Sequence, residues 1–184
     1  QNALAAIAVA HHLGLAESVW RQGLANYAGV KRRFTIAGQA AGVTVVDDYG
    51  HHPVEIRAVL TTARQVTRRA VHAVIQPHRY SRLASLWEEF ATCAFDADTV
   101  TVLPVYSAGE APLSGIGHRE LADAMRAYGH KQTYALETPG ELARHVAGLS
   151  APGDYIICLG AGNITTFANA LPGELRDMTA RKSA

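Results

Sequence analysis

Apolar and polar positions along the chain alternate between two periods. Residues 2–13 and 17–27 carry apolar side chains at helical spacing (Leu4, Ile7, Ala8; Val19, Trp20, Leu24, Tyr27), with Gly14 between them. They predict two helices. A basic connector follows, Gly29-Val30-Lys31-Arg32-Arg33-Phe34, and a domain boundary is placed there. Short strands are expected at Thr35 to Gly38 and Val43 to Asp47, around a turn at 39–42. Strand-like and helix-like segments then take turns. Helix follows Pro53, whose fixed φ suits a first helical turn. Strand 71–75 precedes helix 82–95. Strand 99–105 precedes a loop at 106–117 and a helix at about 118–128. Strand 132–136 precedes helix 139–149, and strand 154–159 precedes helix 164–171. Residues 173–184 read as a polar, frayed tail. Alternating βα units imply an α/β fold, a mostly parallel sheet with helices on both faces.

Two apolar runs empty into chemistry. Val45-Val46 leads into Asp47-Asp48-Tyr49-Gly50-His51-His52-Pro53, and Val71 to Ile75 leads into Gln76-Pro77-His78-Arg79-Tyr80-Ser81-Arg82. Ligands of open α/β sheets bind at the carboxyl ends of strands. The two segments are therefore expected to end neighbouring strands and to share one cleft. A carboxylate there can accept from ribose hydroxyls, and an imidazole can bond a phosphate or carboxylate. One of His51 and His52 is expected to cap the helix or face outward. Arg79 and Arg82, three apart where a strand gives way to a helix, can form a fork for a carboxylate or phosphate. A solvated first helical turn capped by Ser81 explains the same residues without a ligand.

Two further segments leave strands. Gly160-Ala161-Gly162-Asn163 has the look of a phosphate-binding turn but lacks the third glycine of the dinucleotide fingerprint, and a tight βα turn accounts for it better. The loop Tyr106-Ser107-Ala108-Gly109-Glu110-Ala111-Pro112 either lines the cleft or is plain connection.

Composition narrows the classes. The 184 residues suffice for one sizeable core, and a net charge of +1 with 18% charged residues leaves no footprint for nucleic acid or a membrane surface. Cys93 and Cys158 lie in apolar runs without a CxxC spacing and read as buried hydrophobes of a reducing, cytoplasmic compartment. No apolar stretch is long enough to span a bilayer. Nine histidines are present, yet none sits in a metal-ligand pattern, so no metal site is expected on this chain. No G-x-x-x-x-G-K-[ST] occurs, so the chain alone cannot build a P-loop.

Taken together, the motifs at 47–53, 76–82, 105–112 and 160–164 resemble those of the ATP-dependent peptidoglycan amino-acid ligases, the Mur ligases, in order and rough spacing. The resemblance covers about residues 1–172 and only the C-terminal part of such enzymes. It implies that residues 1–33 are the last helices of a truncated central ATPase domain. Residues 34–184 would be the Rossmann-like domain that receives the amino acid. It also implies an amide-forming reaction in which ATP activates the lactyl carboxylate of UDP-N-acetylmuramate and the amine of L-alanine attacks the acyl phosphate. ATP and magnesium would be held mostly by domains outside this chain, and the chain alone would not ligate.

Residue by residue, the resemblance matches Asn2 to an adenine contact and Arg33 to a hinge arginine that reaches the ATP phosphates. It matches Asp48 to a position near the ATP ribose and the hinge. Asp48, His51 and Arg33 are the catalytic candidates. Tyr49 and His51 would flank the alanine site, with Tyr49 limiting side-chain size. Arg79 and Arg82, with His78 beside them, would hold the substrate carboxylate. The family usually has His-Asn just before the position of Asn2; here Gln1 stands first. Two alternatives stay open: a ligase that reattaches recycled murein peptides to UDP-N-acetylmuramate, and a non-catalytic module binding a nucleotide or amino acid.

Overall fold

The computed structural model describes residues 2–27 and 29–182. Backbone contacts divide the chain into two units, 1–31 and 32–184. The first unit contains helices α1 (Asn2–His12) and α2 (Glu17–Ala25). Glu17 and Arg21 pair one turn apart on α2, Nε to Oε1 at 2.6 Å.

The second unit is built on strands β1 (Thr35–Ala40), β2 (Val43–Asp48), β3 (Val71–Ile75), β4 (Thr99–Val102), β5 (Thr133–Ala135) and β6 (Tyr155–Leu159). Their helices are α3 (Pro53–Val66), α4 (Tyr80–Ser85), α5 (Trp87–Thr92), α6 (His118–Ala127), α7 (Leu142–Leu149, after a 3₁₀ turn) and α8 (Ile164–Lys182). The sheet order is β1-β2-β6-β3-β4-β5, parallel except for β1 against β2. The expected α/β class, with a mostly parallel sheet, is the observed one. The strands carrying the two polar clusters are not neighbours, however: β6 lies between β2 and β3 and pairs with both. Chain order gave no sign of this, because the last strand returns to the middle of the sheet.

The period of two sorts each strand between two cores. Val46, Ala73, Ile75, Ile157 and Leu159 pack with Ile56 and Leu60 of α3, Phe90 of α5 and Leu121 and Met125 of α6. Val45, Val74, Ile156 and Cys158 pack on the opposite face, with Val146 of α7 and Leu171 and Leu175 of α8. Every residue of β2 and β3 is buried, as expected of strands covered on both faces.

Several boundaries differ from expectation, each for a physical reason. The β1–β2 turn contracts to Ala41 and Gly42, at φ +51° and +77°, the twist-matched two-residue hairpin. The segment expected as helix 82–95 starts at Tyr80 and breaks at Leu86, whose backbone leaves the helical region. Residues 173–182 are not a frayed tail: α8 runs on through Pro172 to Lys182. Leu171, Leu175 and Met178 form its apolar stripe over the second core, which outweighs the bond lost at proline. Gly38 makes room for that proline, since a Cβ there would sit 2.9 Å from Pro172 Cγ.

Candidate functional site

Connections leaving β2 and β3 turn to the α3 face, whereas the connection leaving β6 turns to the α8 face. Adjacent strands that diverge in this way open a crevice at their carboxyl ends. Both polar clusters lie at that end, with the 160–163 turn between them.

The two aspartates end β2 on opposite faces. Asp47 points toward α8, where its Oδ2 accepts from Thr165 Oγ1 at 2.5 Å and lies 3.5 Å from Arg32 Nε. Asp48 points toward α3 and is 2% exposed. Its Oδ2 accepts from the Phe34 amide at 2.6 Å and its Oδ1 from the Gly50 amide at 2.7 Å. Asp48 therefore ties the connector to the strand end and shapes the turn into α3.

His52 turns out to be the capping histidine: its Nδ1 accepts from the Val54 amide at 3.3 Å, and Glu55 Oε2 accepts from the His52 amide at 3.2 Å. The same oxygen accepts from the His51 amide at 3.1 Å. Burial would raise the Glu55 carboxyl, but these two amides and the charges of His51 and Arg33 hold it below its ordinary value. His51 is left to face the crevice. Its Nδ1 lies 3.0 Å from the Tyr49 carbonyl oxygen, which can only accept, so this nitrogen carries the hydrogen. With Nδ1 carrying the hydrogen, Nε2 is the nitrogen that can offer a lone pair to the crevice.

Tyr49, His51, His78 and Tyr106 form a row of rings. Centroids are 5.1 Å apart for Tyr49 and His51, 5.9 Å for His51 and His78, and 5.3 Å for His78 stacked on Tyr106. The β2 and β3 clusters thus meet across the end of β6. Two arginines flank Tyr49, with Arg32 Cζ 5.0 Å and Arg33 Cζ 5.9 Å from its ring centre. Arg33 is half exposed and approaches Glu55 at 3.8 Å. Arg32, which sequence reasoning passed over, is the more deeply engaged: its Nη2 donates to the Gly160 carbonyl at 2.5 Å. Arg32 and Phe34, on either side of Arg33, both have positive φ, 59° and 48°. Such backbone costs on the order of 1–3 kcal/mol per residue and marks the connector as strained.

On the β3 side, His78 is held below its ordinary value by burial first, then by Arg82, His51 and Arg79, with Glu110 opposing. Arg79 stands just before α4 at φ 71°. Among the described residues its guanidinium makes no hydrogen bond or ion pair. Gln76 turns inward, donating to Asn163 Oδ1 at 2.8 Å and accepting the Ile164 amide at 3.1 Å. The Gly160–Asn163 segment is thereby a braced βα turn. A Cβ on Gly162 would lie 2.6 Å from both Gln76 Oε1 and Tyr106 Cγ. Gln76, Glu55 and Glu110 were missed as site residues; only the Glu three places after His52 carried a signal, that of a capping box.

Buried polar side-chain atoms without a hydrogen-bond partner, among the described residues, include Arg32 Nε, Asp47 Oδ1, His78 Nδ1, Arg82 Nη1 and His118 Nε2. All belong to segments at this end of the sheet, where native structures leave such groups for a purpose. An apolar recess of about 320 Å³ at the opposite end, between α7, α8 and the β1–β2 turn, is lined by no titratable side chain. The side chain of Asn2 lies outside the described residues, so the structure says nothing of an adenine contact there.

The family model for the Mur ligase, glutamate ligase domain, matches residues 32–162. The chain belongs to the Mur ligase family. It is 58% identical over 175 residues to a UDP-N-acetylmuramate–L-alanine ligase of Nitrobacter hamburgensis, covering 95% of this chain and 38% of that protein. A protein of the same name from Granulibacter bethesdensis is 53% identical over 99% of the chain and is likewise covered over 38% of its length. This Mur ligase chain thus spans well under half the length of the curated relatives it matches, in their C-terminal part. Among solved structures, the UDP-N-acetylmuramate–alanine ligase of Thermotoga maritima superimposes with a TM-score of 0.75 at 28% identity, over 100% of this chain and 37% of that one. A murein peptide ligase from Psychrobacter arcticus shares the fold, with a TM-score of 0.72 at 24% identity over 96% of this chain and 36% of that one.

Proposed function

We propose that this chain is the amino-acid-receiving part of an ATP-dependent ligase that joins L-alanine to the lactyl carboxylate of UDP-N-acetylmuramate, a cytoplasmic step of peptidoglycan precursor synthesis. The observation that carries the reading is the 58% identity to ligases of that name, spanning the whole two-cluster crevice. The murein-peptide alternative is supported by fold likenesses at 24% and 23% identity, which show the fold alone. A non-catalytic module would not need cationic, imidazole and phenol groups left uncommitted at one strand end.

ATP supplies the phosphoryl group that turns the lactyl carboxylate into an acyl phosphate. Among the described residues no group of three or more His, Cys, Asp or Glu stands together as a metal site. Arg33 fits a phosphate: it is half exposed, and its one anionic neighbour, Glu55, is 3.8 Å away. Asp48 is committed first to the backbone: each of its oxygens holds an amide, one of them on the connector. We therefore assign Asp48 to holding the connector that presents Arg33, and leave the chemistry to others.

Arg79 and Arg82 take the L-alanine carboxylate, with His78 kept neutral beside them. Tyr49 walls the side-chain pocket. His51 Nε2 accepts the proton that the amine sheds as it attacks, while its Nδ1–H goes on donating to the Tyr49 carbonyl. Fixed groups of this kind lower the barrier by position and charge rather than by new covalent chemistry.

The test is a chimera in which this chain replaces the matched C-terminal region of the Nitrobacter hamburgensis relative. With ATP, magnesium and UDP-N-acetylmuramate, it should release phosphate in proportion to L-alanine. Turnover with a murein peptide and none with L-alanine would transfer the assignment to the recycling ligase. A folded chimera inert to both would overturn the enzyme reading.

A further inference from the structure

The loop after β4 does not merely pass the crevice. Its backbone extends the sheet beyond the strands: the Tyr106 amide donates to the Pro77 carbonyl at 2.9 Å, and the Arg79 amide donates to the Tyr106 carbonyl at 2.9 Å. His78 and Tyr106 form an isolated parallel bridge, with their rings stacked. Four residues further on, Glu110 reaches back across the start of α4. Its Oε2 accepts from the Ser81 amide at 2.9 Å and its Oε1 accepts from the Ser81 hydroxyl at 2.6 Å.

Arg79 is thus pinned on both sides by one loop, through its own amide and through Ser81 two residues later. It needs to be pinned. At φ 71° and ψ 134° its backbone is in a region that side-chain-bearing residues avoid and that persists only where the surroundings over-determine it. Left alone, the residue would relax to negative φ, and its guanidinium would swing with it.

We infer that Glu110 is a positioning residue: it clasps Ser81 and so holds Arg79 in the conformation that aims its guanidinium at the carboxylate of the incoming amino acid. This rests on the proposed amino-acid site. Glu110 touches no reacting atom; it acts through Arg79. The two hydrogen bonds to Ser81 hold its carboxyl below the ordinary value, with the charge of Arg79 adding to them. It therefore stays ionised, an acceptor at both oxygens, through the neutral range.

Glu110→Ala in the chimera should raise the KM for L-alanine at least tenfold and leave the KM for ATP within about twofold, a split that general loosening of the fold would not produce. Glu110→Gln keeps one acceptor for Ser81 and should recover most of the loss. Equal changes in both KM values, or an unchanged KM for L-alanine, would overturn the inference.

The 184-residue chain supplies an arm that needs no turnover. In Glu110→Ala, Ser81 amide exchange should accelerate, and a crystal structure should show Arg79 at negative φ. Arg79 remaining near φ +71° would refute the clasp whether or not the chimera ligates. A wild-type chimera that ignores L-alanine, by contrast, refutes the substrate reading while the backbone result stands on its own.

Discussion

Removing the Asp48 carboxylate is the sharpest test of how this site is held together. The group is buried, and each oxygen holds one amide, Phe34 from the connector and Gly50 from the turn into α3. A hydrogen bond to a charged group contributes about 1.5–3 kcal/mol, and a buried amide left bare adds a desolvation penalty of similar size. Asp48→Ala should therefore cost about 3–5 kcal/mol, some of it recovered where water reaches Phe34. Asp48→Asn is isosteric but replaces one acceptor by a donor that faces an amide. It should cost about 2–3 kcal/mol, and at roughly 2–4 °C per kcal/mol for a domain of this size the Asn variant should melt roughly 4–12 °C lower.

Urea denaturation of the chain reads the magnitude, and amide exchange at Phe34 and Gly50 reads the location. In the chimera, a brace predicts that Asp48→Asn impairs use of ATP and L-alanine together, because the connector carries Arg33 and the turn carries Tyr49 and His51. An Asn variant within about 0.5 kcal/mol of the parent, the usual spread for inert surface changes, would refute the brace. So would a defect confined to ATP, which would return Asp48 to the ribose.

The other expectations are as direct. His78 binds its proton less readily in the folded state than its ordinary value of 6.5 allows. The unfolded chain is therefore protonated first as pH falls. Stability should be full above that value and decline as pH drops from it through the lowered folded value, a slope that His78→Gln should flatten in pH-dependent urea melts. Glu55 is also lowered, but as a carboxylate, so its contribution should be present above its ordinary value of 4.5 and fade as pH falls through the lowered one; Glu55→Gln should remove that component. Gly162→Ala must displace Gln76 or Tyr106 and should lower the melting temperature and raise the KM for L-alanine together; a neutral result in both would contradict the close packing of that turn. Arg79→Ala in the chimera should raise the KM for L-alanine roughly ten- to a thousand-fold, from a lost charge pair of about 2–4 kcal/mol, with the KM for ATP little changed. Loss of ATP binding alone would assign the arginine to the nucleotide. The 184-residue chain by itself, lacking a P-loop sequence, should release no phosphate from ATP above background.

Hydrophobic patterning was enough to place the six strands and the class, helped by β2, β3 and β6, which are buried on both faces and read as mostly apolar runs interrupted by Thr44 and His72. It failed where long-range packing decides. Nothing local in 173–182 announces that Leu175 and Met178 cover the second core, and Pro172 argues locally against the helix that contains them. Nothing in chain order places β6 between β2 and β3. In the site, the residue types at 47–53 and 76–82 were visible, but their division of labour was not. Two neighbouring aspartates look alike in sequence and diverge because consecutive strand residues face opposite layers. Arg32 and Arg33 are likewise indistinguishable until one bonds the Gly160 carbonyl and the other remains half exposed.

Hydrogen-bond commitment separates scaffold from chemistry in this crevice. A side chain engaged by backbone amides is oriented by them, and a substrate group that reached it would have to share an oxygen already bonded. Asp48, Glu55, Gln76 and Glu110 are engaged in this sense, by Phe34 and Gly50, by His51 and His52, by Ile164, and by Ser81. The Tyr49 hydroxyl, His51 Nε2 and the Arg79 guanidinium make no hydrogen bond among the described residues, and Arg82 Nη1 is buried without one. The acidic and amide residues build the frame, and the phenol, the imidazole and the guanidinium groups project from it. That partition is what a substrate with a carboxylate and an attacking amine requires: cations for the first and a lone pair for the proton of the second. It also ranks the substitutions. Changes to Asp48, Glu55 or Gln76 should move stability and several kinetic constants at once, whereas Glu110→Ala should act through Arg79, and Arg79→Ala and Tyr49→Ala should leave folding intact and act on L-alanine alone. A Tyr49→Ala chimera of normal melting temperature that gained relative use of larger amino acids such as valine would fit that ranking. One that lost several degrees of stability without altering amino-acid choice would place Tyr49 in the frame and refute it.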